Sequence, residues 1–109
     1  MKATYWQRGE SLDYKNTTND IIPENTVIAI GTRIGVTGTV INPGEVGSLD
    51  VCGVFEMPKT TASEVITLGA TVYFDGTGIT TTEESNTPAG YAIAESGADA
   101  ATVLVKLLG

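Results

Sequence analysis

Residues 49–58, LDVCGVFEMP, place apolar side chains at 49, 51, 55 and 57, and a lysine follows at 59. A period of two is the pattern of a β-strand with one face on a core, with Asp50 and Glu56 directed the other way. Gly53 falls on the apolar face, which predicts a bulge, a sharp bend or the close approach of another backbone. Pro58 removes a ladder donor and predicts that pairing ends there. One long strand at 47–57, stopped by Met57-Pro58-Lys59, is the expectation. A strand end of this kind presents either chemistry or architecture.

The rest of the chain reads in short strands as well. ESLDY at 10–14 alternates weakly, and KNTTND at 15–20 is a turn-rich loop that includes the glycosylation sequon Asn16-Thr17-Thr18. Nothing marks the chain as secreted, so that sequon is read as loop chemistry only. TVIAI at 26–30 is a continuous β-branched run, expected to be buried on both faces. Gly31-Thr32 joins it to RIGVT at 33–37 as a type II′ hairpin. Asn42-Pro43-Gly44-Glu45 has the chemistry of a further turn, with Pro presetting φ and Gly at the third position. Thr61 and Glu64 have capping-box spacing and Gly69 sits at a helix stop, which predicts one short helix over 61–66. Hairpin strands are predicted at 71–74 and 79–82, then strands at 90–95 and 102–108. The fold expected is mainly β: a single small β-barrel or β-sandwich-like domain of antiparallel strands over 10–109, preceded by an extended N-terminal arm over 1–9.

The 109 residues suit one domain. A net charge of −7, with no Lys/Arg cluster, argues against a nucleic-acid partner and favours solubility. No apolar run approaches membrane-spanning length, and the opening MKATYWQRGE lacks the apolar core of a secretory signal. Neither a membrane partner nor secretion is expected, and synthesis in a cytoplasm is. The lone Cys52 has no internal disulfide partner.

With no histidine and one cysteine, the sequence supplies no Ser-His-acid triad, no Cys-His pair and no CxxC site. Gly31, Gly35 and Gly38 lack phosphate-loop spacing, and no cofactor is expected. Carboxylates are the one reactive type in supply: Glu83 and Glu84, with Asp75 across the predicted hairpin. Acid–base work would need environments that split their pKa values, whereas glutamates beside a Thr/Ser/Asn-rich turn are ordinarily solvated. Asp75-Gly76-Thr77-Gly78 lacks the ligand ladder of a calcium loop, so no metal is expected. The segment Tyr5-Trp6-Gln7-Arg8 differs in kind, because Tyr, Trp and Arg dominate interface energetics. Trp6 either folds back onto the domain's own core or anchors an interaction.

Taken in order, YWQRGESLDY (5–14), GVFEMPK (53–59), LGATVYFDGTG (68–78), PAGYA (88–92) and VLVKL (103–107) resemble the phage capsid cement, or head-decoration, proteins. The likeness spans nearly the whole chain, and KNTTND at 15–20 is its one departure. It implies a non-enzymatic virion protein, made in the bacterial host cytoplasm, that binds the capsid exterior and has the major capsid protein as partner. It further implies homotrimers at threefold points, with Tyr5, Trp6 and Arg8 as arm contacts on the coat. Phe55, Met57 and Pro58 are the candidate subunit contacts, with an internal core as the competing place for that face. A phage tail component and a carboxylate-dependent hydrolase are the alternatives.

Overall fold

The structure is a computed structural model that describes residues 1–108. Nine strands follow in order: β1 (Ser11–Lys15), β2 (Val27–Ile30), β3 (Arg33–Thr37), β4 (Val46–Asp50), β5 (Val54–Pro58), β6 (Thr71–Phe74), β7 (Ile79–Thr80), β8 (Thr87–Ala92) and β9 (Thr102–Leu107). They form two antiparallel sheets, one ordered β1-β4-β3-β2 and the other β5-β9-β8-β6-β7. Ile34 and Val36 of β3 pack onto Met57, Val72, Ala92 and Val105 of the larger sheet, and this interface is the core. The mainly β expectation holds, and the arrangement is sandwich-like.

No closed barrel forms. Each sheet keeps two edges, and the larger one curls until its edges touch at a single isolated bridge, Lys59 to Ile79. Thr60 N donates to Ile79 O at 3.0 Å across this seam. The predicted long strand is therefore two strands in different sheets. Gly53, at φ +112°, makes the crossing between β4 and β5, a conformation that side-chain-bearing residues resist. The period of two does not mean one shared face: Leu49 lies against Gly35, on the face of the smaller sheet opposite Ile34 and Val36, whereas Met57 after the crossing belongs to the core between the sheets.

Pro58 does not end the pairing, contrary to expectation, since it pairs with Thr102 inside β5. The next N–H, that of Lys59, turns toward Ala101 O at 2.9 Å. The missing donor of Pro58 therefore falls on the open side of an edge strand, where it costs no ladder bond.

The helix over 61–66 is absent, and no helix occurs among the described residues. Glu64 N closes only a turn, onto Thr61 O at 3.0 Å. The Glu64 carbonyl is taken by the Lys59 ammonium at 2.6 Å, and Ile66 is drawn into a bridge with Ser96. The Glu64 carboxylate bonds Thr81 Oγ1 at 2.6 Å, where a capping box would have it reach back to the N-cap backbone. Tertiary partners thus replace the helical ones.

The β2–β3 hairpin turns at Gly31 with φ +62°, while Thr32 keeps φ negative, as a type II′ turn requires. β2 is an edge strand and only partly covered, so the expected burial on both faces is not found. β8 starts earlier than expected, at Thr87, and ends at Ala92. Its register against β6 slips between Val72 and Tyr73, a bulge that accommodates Pro88 beyond the last β9 pair. At Gly90, φ +147°, an added Cβ would collide with the Lys106 carbonyl oxygen.

Candidate functional site

Two parts of the molecule compete for a functional role: the segment before β1, and a groove beside β5. Residues 1–8 carry no regular secondary structure, and every side chain among them is exposed. Tyr5 is 80% and Trp6 88% exposed, so Trp6 lies outside the core. Arg8 reaches only Glu10, at 3.3 Å, both largely in solvent, a pair of little energetic weight. The radius of gyration, 14.9 Å, exceeds the roughly 13 Å of a compact chain of this length, in keeping with extents of 42 × 38 × 23 Å.

Charge divides along the same line. Residues 1–9 contain Lys2 and Arg8 and no acid, so the chain's −7 less this +2 leaves −9 on residues 10–109. The aromatic segment is cationic and the remainder strongly acidic.

The groove opens where β2 passes over β5 and the β6–β7 turn. It consists of two adjoining hollows of about 260 and 310 Å³ that share Asn25, Val27, Met57 and Pro58. Phe74 and Ile79 extend one hollow, and Val36, Phe55 and Glu56 the other. Of the three candidate subunit contacts, Met57 is buried in the core cluster, Phe55 is half-buried against it, and Pro58 is exposed. All three line the groove. Its floor belongs to the core, and its rim is open.

The strand end at Met57-Pro58-Lys59 also resolves into architecture. Lys59, only 7% exposed, donates from Nζ to Glu64 O at 2.6 Å and Gly97 O at 2.9 Å. A buried ammonium that bonds two carbonyls fastens both flanking loops to the seam, since its own donors would otherwise go unpaired. Sequence reasoning missed this residue because lysine is so seldom buried.

Asn16 was missed for a related reason. The sequon asparagine is fully buried, donates to Asp20 O at 2.7 Å and Ile41 O at 2.9 Å, and accepts from Thr18 N at 2.9 Å and Thr18 Oγ1 at 2.6 Å. Its amide holds the loop together and is not presented for modification.

Of the carboxylates singled out by sequence, Asp75 is engaged by its own turn and Glu83 and Glu84 face solvent. Asp75 Oδ2 accepts from Thr60 Oγ1 at 2.5 Å, and Oδ1 from Thr77 N and Gly78 N, each at 2.9 Å. These bonds, with Thr60 the largest, hold its carboxyl well below the usual range. Such a group stays ionised and serves as a turn brace, not as a proton donor. Glu83 and Glu84 are exposed, and Glu83 O closes a turn with Asn86 N. Among the described residues no three acid or Cys side chains converge as a metal site.

A family model described as phage cement protein matches residues 6–107. No curated protein and no solved structure matches the chain.

Proposed function

We propose, from the premise that the chain belongs to the phage cement protein family, that it docks on the exterior of an assembled capsid as a homotrimer at threefold sites. Family membership makes it a structural phage protein whose partner is the capsid. The outside location, the trimer, the threefold position and the contact residues are our extension.

The observation that carries this extension is the exposed Tyr5-Trp6-Gln7-Arg8 segment, free of the body and opposite to it in charge. Large apolar side chains left in water are stabilised once a partner covers them, and Trp, Tyr and Arg are the residues most often found as interface anchors. Tyr5, Trp6 and Arg8 act as arm contacts on the assembled shell, and the strand domain supplies the rigid body they pull against. Phe55, Met57 and Pro58 mark the groove where subunits meet. Three arms held by one trimer raise the effective concentration for each further contact, so weak individual contacts add to firm docking. A ligand that prefers the expanded shell stabilises it by mass action.

Co-sedimentation with matching expanded capsids tests the function. The protein is expected to pellet with expanded shells up to a fixed stoichiometry and to raise the temperature at which they rupture. Protein that stays in the supernatant at saturating shell concentration overturns the proposal.

A further inference from the structure

We infer that strand β2 of one copy pairs with strand β1 of the next, antiparallel and head to tail, so that the smaller sheets of neighbouring copies join. This deepens the homotrimer proposed above and rests on that proposal only for the number of copies.

Two sheets leave four edges, and three of them are guarded. β1 carries Asp13 and Lys15, and β5 carries Glu56 and Pro58. β7 is two residues long and is bridged to Lys59. β2, Val-Ile-Ala-Ile, has neither charge nor proline. Its bonding parity tells which backbone groups are left over. Thr37 N donates to Thr26 O at 2.9 Å and Ile30 closes the hairpin against Arg33, so Thr26, Ile28 and Ile30 turn to β3. The N–H and C=O groups of Val27 and Ala29 point away from the sheet and meet no strand among the described residues.

β1 has the matching parity. Val51 N donates to Glu10 O at 3.0 Å and Asn16 N to Glu45 O at 2.9 Å, so Leu12 and Tyr14 between them turn to β4. Ser11, Asp13 and Lys15 present their backbone groups outward. Setting Val27 against Lys15 and Ala29 against Asp13 pairs outward groups with outward groups and lays the whole of β2 along β1. The side chains then agree as well. Ile28 meets Tyr14 and Ile30 meets Leu12 on one face. Leu12 is 36% exposed and the other three are half-buried, so the contact covers apolar surface that both edges leave in water. Charge favours the same direction: Lys15 arrives at the end of β2 preceded by Glu24, and Glu10 at the end followed by Arg33.

The pairing has to run between copies. β1 and β2 lie at opposite edges of one sheet, held apart by β4 and β3, so no chain can join its own β2 to its own β1. Two β1 strands in full overlap would set Asp13 against Asp13, a like-charge pair. Two β2 strands would leave Leu12 and Tyr14 uncovered. Because β1 and β2 run in opposite directions, each added copy continues the antiparallel order, and a head-to-tail contact of this kind closes into a ring where its rotation permits. The groove opens beside β2 through Asn25 and Val27, so a neighbour seated on β2 arrives where the docking proposal has subunits meet.

Disulfide trapping in the full chain without capsids, with Cys52→Ser as background, tests the pairing. An equimolar mixture of Leu12→Cys and Ile30→Cys chains should cross-link between copies under mild oxidation, because directly opposed strand residues lie about 4.5–5.5 Å apart, within disulfide reach. Neither variant alone should do so. Ala29→Glu puts an acid against Asp13 and should weaken association, measured by sedimentation, about two- to five-fold. Adding Asp13→Lys should restore it. Both positions are exposed, so unfolding midpoints should match that of the unaltered chain. A mixture that yields no cross-link overturns the inference. So does cross-linking of Ile28→Cys chains by themselves, which opposes two β2 strands. So does association that ignores the charge pair. A chain that fails these tests but pellets with expanded capsids loses the edge contact and keeps the docking role. One that passes them but never pellets does the reverse.

Discussion

The chain exposes its sole tryptophan and buries a lysine. Trp6 stands 88% exposed in a segment without regular structure, while Lys59 is 7% exposed at the seam of the larger sheet. Each departs from the habit of its residue type, and each departure has a cost: uncovered aromatic surface in one, a desolvated charge in the other. The difference lies in where compensation comes from. Lys59 is answered inside the chain by two backbone carbonyls, whereas none of the described residues covers Trp6. A cost met internally belongs to folding, and one left open belongs to a partner. Substitutions in the two regions should therefore separate stability from docking.

The body side should respond most strongly. Gly90→Ala forces a Cβ into the Lys106 carbonyl and demands a positive φ of an L residue, so a loss of about 4 kcal/mol or more is expected by urea unfolding. Lys59→Met keeps the apolar stem but strands the Glu64 and Gly97 carbonyls, at a cost of about 2–3 kcal/mol. In a domain of this size that cost should lower Tm by roughly 10–20 °C by calorimetry. Were Lys59→Met as stable as the parent, the contrast with Trp6 would fail on its internal side.

Acid should produce a smaller effect. The folded Asp75 carboxyl titrates below its unfolded value, so its contribution is present above about pH 4 and is lost as pH falls further. Asp75→Asn should accordingly flatten the drop in unfolding midpoint below that pH, and an unchanged acid limb would remove Asp75 as a brace. Smallest of all in stability is Trp6→Ala, expected within about 0.5 kcal/mol of the parent because no body contact is lost.

Much of the body is legible in the sequence because local rules and tertiary demands agree there. The Gly31-Thr32 hairpin, the Asn42–Glu45 turn with its 3.0 Å closing bond, and the β6–β7 hairpin follow from turn chemistry and strand period alone. The failures lie where a distant partner outbids a local one. Lys59 binds the Glu64 carbonyl and Ser96 bridges Ile66, so both residues are held by distant partners in place of a helix over 61–66. The crossing at Gly53 is hidden because buried side chains alternate on either side of it, although Leu49 and Met57 pack in different parts of the interior. Tyr5, Trp6 and Arg8 are identifiable by residue type as contacts on an expected arm, but residue type alone leaves Trp6 open between core and arm. The β2 side of the groove, Asn25 and Val27, carried no sequence signal, since it exists only once two sheets are stacked.

The most direct test of a division between a self-sufficient body and an unanswered arm measures one variant twice. Trp6→Ala should unfold at the parent's urea midpoint and bind expanded capsids about thirty-fold or more weakly. A midpoint lowered by several kcal/mol, with capsid affinity unchanged, would return Trp6 to the body and contradict the division.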